Sequence, residues 1–167
     1  NYTWMPVIHY LGRKNIYSEF RYNYEATGAA SVYVGKSFGV NGKSDFVLTP
    51  AAGIVMGKYT GGSLALNGGF SKKKIIFFSQ SQYTFSATRN SYNFFYSWSD
   101  LYYQECSWLF TGLTMQLTAT AGQRINTDKG LLLGFKFSNW SIPLYFINPL
   151  KKDAAFIAGV NVEWRKK

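Results

Sequence analysis

The chain of 167 residues is poor in cysteine, histidine and charge. Its single cysteine, Cys106, excludes an internal disulfide and a cysteine-based metal cage, and its single histidine, His9, excludes a multi-histidine metal site. Charged residues make up only 16% of the chain, against roughly 25% in an ordinary soluble domain. No run of about 20 consecutive apolar residues occurs, so the sequence does not predict a membrane-spanning helix.

Aromatic residues, in contrast, make up 19% of the chain, and hydrophobic residues make up 47%. A chain so rich in aromatics is not expected to be disordered, and its length suits one domain with a sizeable core. The net charge of +10 is compatible with simple solubility, with nucleic-acid binding or with an anionic lipid surface.

Apolar residues recur at every second position, which is typical of strands with two unlike faces. The first clear case is residues 16–25, and the same alternation returns in residues 46–57, 109–119, 131–138 and 156–164. Turn signals at short intervals divide the chain from residue 16 onward into about ten strands, although eight or twelve also fit. Helical signals are nearly absent, so the sequence predicts one all-β antiparallel domain.

The second face of these strands is made mostly of small or neutral residues, while the charged residues crowd into the turns. A soluble β-sandwich would place charged side chains on its wet face instead. A charge-free band bordered by charged turns is what a bilayer requires of a β-barrel. We therefore expect a closed transmembrane β-barrel with short turns, and a soluble β-sandwich remains the alternative fold.

The last predicted strand carries Gly159, Val162 and Trp164 at the spacing of a known C-terminal signal. It resembles the signal that the barrel assembly machinery reads in bacterial outer-membrane β-barrels, although Ile157 stands where a polar residue is usual and three basic residues follow Trp164. Residues 20–25 and 93–100 also resemble small outer-membrane barrels of the Bacteroidota. The resemblance implies an integral outer-membrane protein with both termini periplasmic, inserted by the barrel assembly machinery.

The N-terminal residues fit this scheme less clearly. We expect residues 1–14 to form a periplasmic or plug segment and residues 15–167 to form the barrel. Alternatively, residues 7–11 pair as a further strand, since Val7, His9 and Leu11 alternate with Ile8 and Tyr10. A single added strand would break the even strand count of bacterial barrels.

Isolated polar and charged residues fall on the inward face in this register, and they are the candidate lumen or constriction residues. If the barrel closes, the strand predicted over residues 16–25 lies beside the last strand, which brings Glu163 near Glu19 and Arg21. Such residues form either an interior ion-pair network or a constriction that screens solutes by charge. The candidates are Glu19, Arg21, Asn23, Glu25, Asp100, Lys136 and Glu163.

Small residues also recur on the inward face, as at Thr49–Gly53 and Gly112–Thr114. They leave room either for a narrow passage or for large side chains from other strands. The first functional expectation is accordingly a narrow porin-like channel for small polar solutes or ions. The alternative is a closed structural or accessory barrel that docks on a larger outer-membrane complex.

Enzymatic and nucleic-acid functions are not expected. Neither His9 nor Cys106 has the neighbours of a catalytic set, and no loop has enough spaced carboxylates for a metal. No cofactor is therefore expected. The basic residues flank the strands and do not lie between stacked aromatics, so outer-membrane lipid and lipopolysaccharide phosphates are better partners than nucleic acid.

Overall fold

The computed structural model describes residues 3–39, 45–88 and 92–163. They form one antiparallel sheet in which each strand pairs with its neighbours in sequence. A short 3-10 turn, Arg13–Asn15, separates the first two strands, and no helix among these residues is long and apolar enough to cross a membrane. The strands are β1 Val7–Leu11, β2 Ile16–Tyr22, β3 Ala29–Lys36, β4 Phe46–Gly57, β5 Gly61–Lys72, β6 Ile75–Ser86, β7 Phe94–Gln104, β8 Leu109–Thr120, β9 Asn126–Phe137, β10 Trp140–Ile147, β11 Ala155–Ala158 and β12 Asn161–Val162.

The all-β antiparallel prediction is confirmed, and the described residues form twelve strands, which is the larger of the two alternatives to the expected count of about ten. Two features account for the difference. Val7–Leu11 joins the sheet as β1, which is the further-strand alternative left open above. At the other end, the last predicted strand is interrupted at Gly159 and Val160, so that β11 and β12 pair with β10 separately.

The two faces of the sheet have opposite character, as the alternation predicts. On β5, Ser63, Ala65 and Asn67 are buried, whereas Leu64 between them is 56% exposed. On β3, Val34 is exposed and Tyr33 is buried. Among the described residues the buried set contains more polar than apolar side chains. This reverses the usual distribution in a soluble β-protein, whose buried face is apolar.

Strong curvature places the polar face inside. Arg21 on β2 donates a hydrogen bond to Gln82 on β6, although four strand spacings in a flat sheet would separate these strands by roughly 19 Å. Tyr145 on β10 likewise donates to Asp100 on β7, with an oxygen–oxygen distance of 3.1 Å. The sheet therefore curls around its polar face, and its apolar face is convex.

The edges of the sheet differ from the expected closed barrel. The strand order runs from β1 to β11, and no ladder joins β1 to β11 or β12 within residues 3–39, 45–88 and 92–163. The expectation that the strand predicted over residues 16–25 lies beside the last strand is wrong, because β1 and β3 pair with the two edges of β2.

The added strand also changes the direction of the edges. An even number of antiparallel ladders separates β1 from β11, so these two strands run in the same direction. Consequently Pro6 and Glu163 lie at opposite ends of the sheet. Pro6 accepts a hydrogen bond from the backbone N–H of Tyr22, and Glu163 donates its backbone N–H to Asn139.

Candidate functional site: the polar interior

A buried ion pair on β2 is the centre of the interior. Tyr17, Glu19 and Arg21 point to the concave side because they are two residues apart on one strand. The Arg21 guanidinium is fully buried and holds Glu19 through two hydrogen bonds, with Nε 2.9 Å from Oε1 and Nη2 3.1 Å from Oε2. A two-point arginine–carboxylate pair is among the strongest polar contacts in proteins and fixes both side chains.

Aromatic rings sandwich the same guanidinium. Its central carbon lies 4.3 Å from the ring centre of Tyr33 and 4.7 Å from that of Tyr24. Tyr24 reaches across the interior, where its ring packs edge-on against Tyr96 of β7 with centres 5.7 Å apart. Burial raises the pKa of the Tyr24 phenol above its ordinary value, so Tyr24 donates to Gln80 as a neutral hydroxyl.

A second carboxylate joins this group without a cation of its own. Glu25 accepts hydrogen bonds from Ser31 and Tyr33, each at 2.9 Å, and its Oε1 lies 3.5 Å from Nη1 of Arg21. The cluster of Glu19, Arg21 and Glu25 therefore holds two carboxyl groups and one guanidinium. Burial of unequal charge is costly unless hydrogen bonds compensate, and the surrounding hydroxyl groups supply those bonds.

Asn23 has a different role from the other candidates on this segment. It lies just after β2 with a φ of 57°, a left-handed conformation that asparagine tolerates. Its Oδ1 accepts from the backbone N–H of Gly28 at 2.7 Å, and its Nδ2 donates to the carbonyl of Trp4 at 2.9 Å. Asn23 thus stabilises the turn between β2 and β3 and anchors the N-terminal segment to it.

Asp100 belongs to a separate cluster between β7 and β10. The indole N–H of Trp98 lies 3.0 Å from Oδ1 of Asp100 and also 3.0 Å from the hydroxyl of Thr114. Tyr145 donates to the other Asp100 oxygen and packs against the Trp98 ring with centres 5.0 Å apart. This cluster joins β7, β8 and β10 on the concave side.

The remaining candidates lie at the ends of strands. Lys136 is exposed near the end of β9, and Glu163 is exposed just after β12, within electrostatic range of Tyr102. In the proposed assembly signal, Gly159 donates its N–H to Pro143 and Val162 lies in β12. Trp164 lies outside the described residues. The structure thus brings Glu19, Arg21 and Glu25 together and places Asp100, Lys136 and Glu163 elsewhere.

Two of the small inward residues, Gly53 and Gly134, are covered by an aromatic ring of the adjacent strand. An ideal Cβ at Gly53 would lie 2.6 Å from Cδ1 of Tyr33, and one at Gly134 would overlap the Phe110 ring. The sequence left open whether the small inward positions line a passage or make room for large side chains, and at Gly53 and Gly134 the space is taken by a large side chain. The directly opposed pairs are Tyr17 with Gly35, Tyr33 with Gly53, Tyr102 with Gly112, and Phe110 with Gly134.

The two residues considered for nucleophilic chemistry lie apart. His9 is exposed on β1, opposite Glu19 in the strand register, and stacks on Tyr17 with ring centres 6.2 Å apart. Cys106 is a half-buried free thiol in the turn between β7 and β8. Within the described ranges, no three histidine, cysteine, aspartate or glutamate side chains group as metal ligands.

Comparison with protein-family models, with characterised proteins and with solved structures finds no match to this chain. The functional argument therefore depends on the geometry of the curved sheet.

Proposed function

We propose that this chain is an integral β-barrel of the bacterial outer membrane that is closed to solutes and serves as a structural or accessory subunit of a larger outer-membrane complex. One observation carries the proposal: the convex face of the curved sheet is apolar and exposed, while the concave face is polar and is crossed by two clusters of hydrogen-bonded side chains. In water this arrangement would leave a large apolar surface unburied.

The dimensions of the sheet support a membrane location. Strands of 12 residues such as β4, β5 and β8 are roughly 40 Å long, and a tilt of about 40° reduces their height to roughly 30 Å, enough to span an apolar band of about 25 Å. Trp108 and Trp140 are exposed together near one end of the sheet. Exposed aromatics at strand ends suit the interface between acyl chains and headgroups.

Closure of the sheet belongs to the same proposal. In a bilayer each unpaired backbone group costs several kcal/mol, so the free edges of β1 and of β11 and β12 require partners. Direct pairing between them would be parallel, since both edges run in the same direction.

The closed interior is supported by the side chains that fill it. The Arg21 cluster joins β2 to β6, and the Asp100 cluster joins β7 to β10. The rings of Tyr33 and Phe110 also cover Gly53 and Gly134 on the same face. The porin-like alternative requires a continuous water-filled passage through both clusters, and the side-chain packing favours the accessory role.

Short turns and basic residues indicate which lipid groups and which partner surfaces such a barrel would contact. The turn between β5 and β6 is formed by Lys73 and Lys74 and follows Lys72. Phosphate groups of lipopolysaccharide or anionic lipid are the natural partners of such a turn. With few residues in its loops, the barrel offers a partner subunit mainly its convex surface.

Planar-bilayer recording on the folded protein tests the closed interior. We expect no steady conductance from the wild type. The double variant Tyr24→Ala/Tyr96→Ala removes the ring contact across the interior and should produce openings, whereas Tyr92→Ala, an exposed tyrosine outside the strands, should stay silent. Steady wild-type conductance whose ion selectivity changes in Arg21→Ala would support the channel instead.

The accessory role has its own test. Mild extraction of the native membrane should yield the chain in a complex larger than the monomer. Recovery of only free monomer would argue against that role.

A further inference from the structure

A cavity of about 380 Å³ lies on the concave side of the sheet, between β1 and β6. Its walls come from the parts of the strands nearest the turns at residues 12–15 and 73–74. The mouths of β-barrels are common positions for small-molecule sites, and this volume lies in the usual range for such sites. The lining residues used below are His9, Tyr17, Glu19, Asn67 and Phe78.

The cavity borders the acidic side of the buried cluster. Glu19 forms part of its wall, and the cluster behind it contains two carboxyl groups for one guanidinium. The chain as a whole has a net charge of +10, so this interior differs in sign from the rest of the molecule. An excess of carboxylate in a region shielded from water attracts a cation more strongly than a surface carboxylate does.

The oxygen atoms of Glu19 are already fully used. Oε1 accepts from Arg21 and Gln80, and Oε2 accepts from Tyr17 and Arg21. Direct coordination of a metal ion would displace these donors. Glu19 therefore acts on the cavity through its charge.

Asn67 supplies the open hydrogen-bond acceptor. Tyr17 donates its hydroxyl to Glu19 at 2.6 Å, so its oxygen accepts from Nδ2 of Asn67 at 3.2 Å. This chain of hydrogen bonds leaves Oδ1 of Asn67 as a buried acceptor without a partner, on a residue that is only 8% exposed. A ligand that donates a hydrogen bond there would remove the cost of the unpaired acceptor.

Aromatic rings complete the walls. The imidazole of His9 stacks on Tyr17, and the partly exposed ring of Phe78 lies across from them. Ring faces attract both cations and apolar groups. We propose that this cavity binds a small organic cation, namely a primary ammonium group attached to an apolar or aromatic body. The inference is independent of the membrane location proposed above, because the cavity is formed by the curled sheet alone.

Calorimetric titration of the full, folded chain in detergent micelles tests the charge requirement. The probes are phenethylammonium, the neutral analogue 2-phenylethanol and the anionic analogue phenylacetate, which share one ring and differ in charge. We expect phenethylammonium to bind at least about 10-fold more tightly than the alcohol, and phenylacetate not to bind. Equal binding of the amine and the alcohol, or no binding of the amine, would overturn the proposal.

Matched substitutions test the position of the site. Asn67→Leu should weaken phenethylammonium binding about 5-fold or more. Gln116→Leu is the control, because Gln116 also has an unpartnered amide atom on the concave face but does not line the cavity. If Asn67→Leu fails to fold, Phe78→Leu replaces it and should also weaken binding. Unchanged affinity in a folded cavity variant contradicts the assignment.

Discussion

Arg21 is the residue whose loss should destabilise the molecule most. It is fully buried and bonded to Glu19, and it lies beside Glu25 and between two tyrosine rings. Removing one partner of a buried pair leaves uncompensated charge, which costs about 3–5 kcal/mol. We expect Arg21→Ala to lower the free energy of unfolding by that amount, measured by urea titration of the protein in detergent or lipid.

Two comparisons make this first prediction specific. Lys136→Ala removes a cation of the same sign from an exposed position at the end of β9, and it should change stability by less than about 0.5 kcal/mol. Adding Glu19→Gln to Arg21→Ala should recover part of the loss, because the two groups are coupled. Equal effects of Arg21→Ala and Lys136→Ala would show that the buried pair is not formed.

Gly53 tests the ring-over-glycine packing on the concave face. A Cβ there would lie 2.5 Å from the backbone oxygen of Val32 and 2.6 Å from the ring of Tyr33, so both the ring and the backbone of β3 or β4 must shift. Overpacking of this kind costs typically about 1–3 kcal/mol. Gly53→Ala should therefore lower the urea midpoint of unfolding. Gly69, on the same concave face, is the control: a Cβ there would have its nearest neighbours 4.0 Å away, so Gly69→Ala should leave the midpoint unchanged. A neutral Gly53→Ala would mean that neither β3 nor the Tyr33 ring lies this close to Gly53.

At the scale of strands, alternation was a sufficient guide to the two faces. The inward positions of Glu19, Arg21 and Asp100 follow from period-two patterning, which depends only on strand geometry. The position of Tyr24 could not be derived in this way, because it lies in a turn and reaches β7 only through the curvature of the whole sheet. The break in the last strand was also missed, since residues 156–164 alternate without interruption.

The sequence did not decide whether residues 7–11 form the edge strand β1, for a related reason. Five alternating residues satisfy a strand and a plug equally well, and only the partner strand decides between them. In the structure Ile8 lies opposite Phe20 on the convex face. We expect Ile8→Cys and Phe20→Cys, in a Cys106→Ser background, to form a disulfide on mild oxidation, detected by the loss of both free thiols.

The control for that pairing uses the same face of the sheet. Val32 lies opposite Phe20 on the next strand, so Ile8→Cys with Val32→Cys places two thiols about two strand spacings apart, roughly 10 Å. This second pair should remain reduced. Free thiols in the first pair would show that β1 does not occupy the edge of β2, which would leave that edge available to the last strand in a ten-stranded antiparallel barrel.

For the whole molecule, polarity separates the inside from the outside. The buried side includes Arg21, Asp100 and Thr114, while the exposed side carries leucine, valine and phenylalanine on strand after strand. In water, the hydrophobic effect would stabilise such a sheet little, because its apolar face stays unburied unless lipid or another protein covers it. A lipid bilayer would cover the whole convex face at once, and this is why we propose it over a single protein interface.

Leu113 allows a direct test of that environment. It lies in the middle portion of β8 on the convex face and is 59% exposed. In a soluble protein, an exposed leucine changed to lysine alters stability by no more than about 0.5 kcal/mol. On the lipid face of a barrel near the bilayer midplane, the same change costs about 2–4 kcal/mol.

Leu113→Lys should therefore reduce the free energy of unfolding in lipid vesicles by this larger amount. The control is Leu150→Lys, at a loop position that is 99% exposed, and it should have almost no effect. Equal, small effects at both positions would place the convex face in water and remove the basis for an outer-membrane protein.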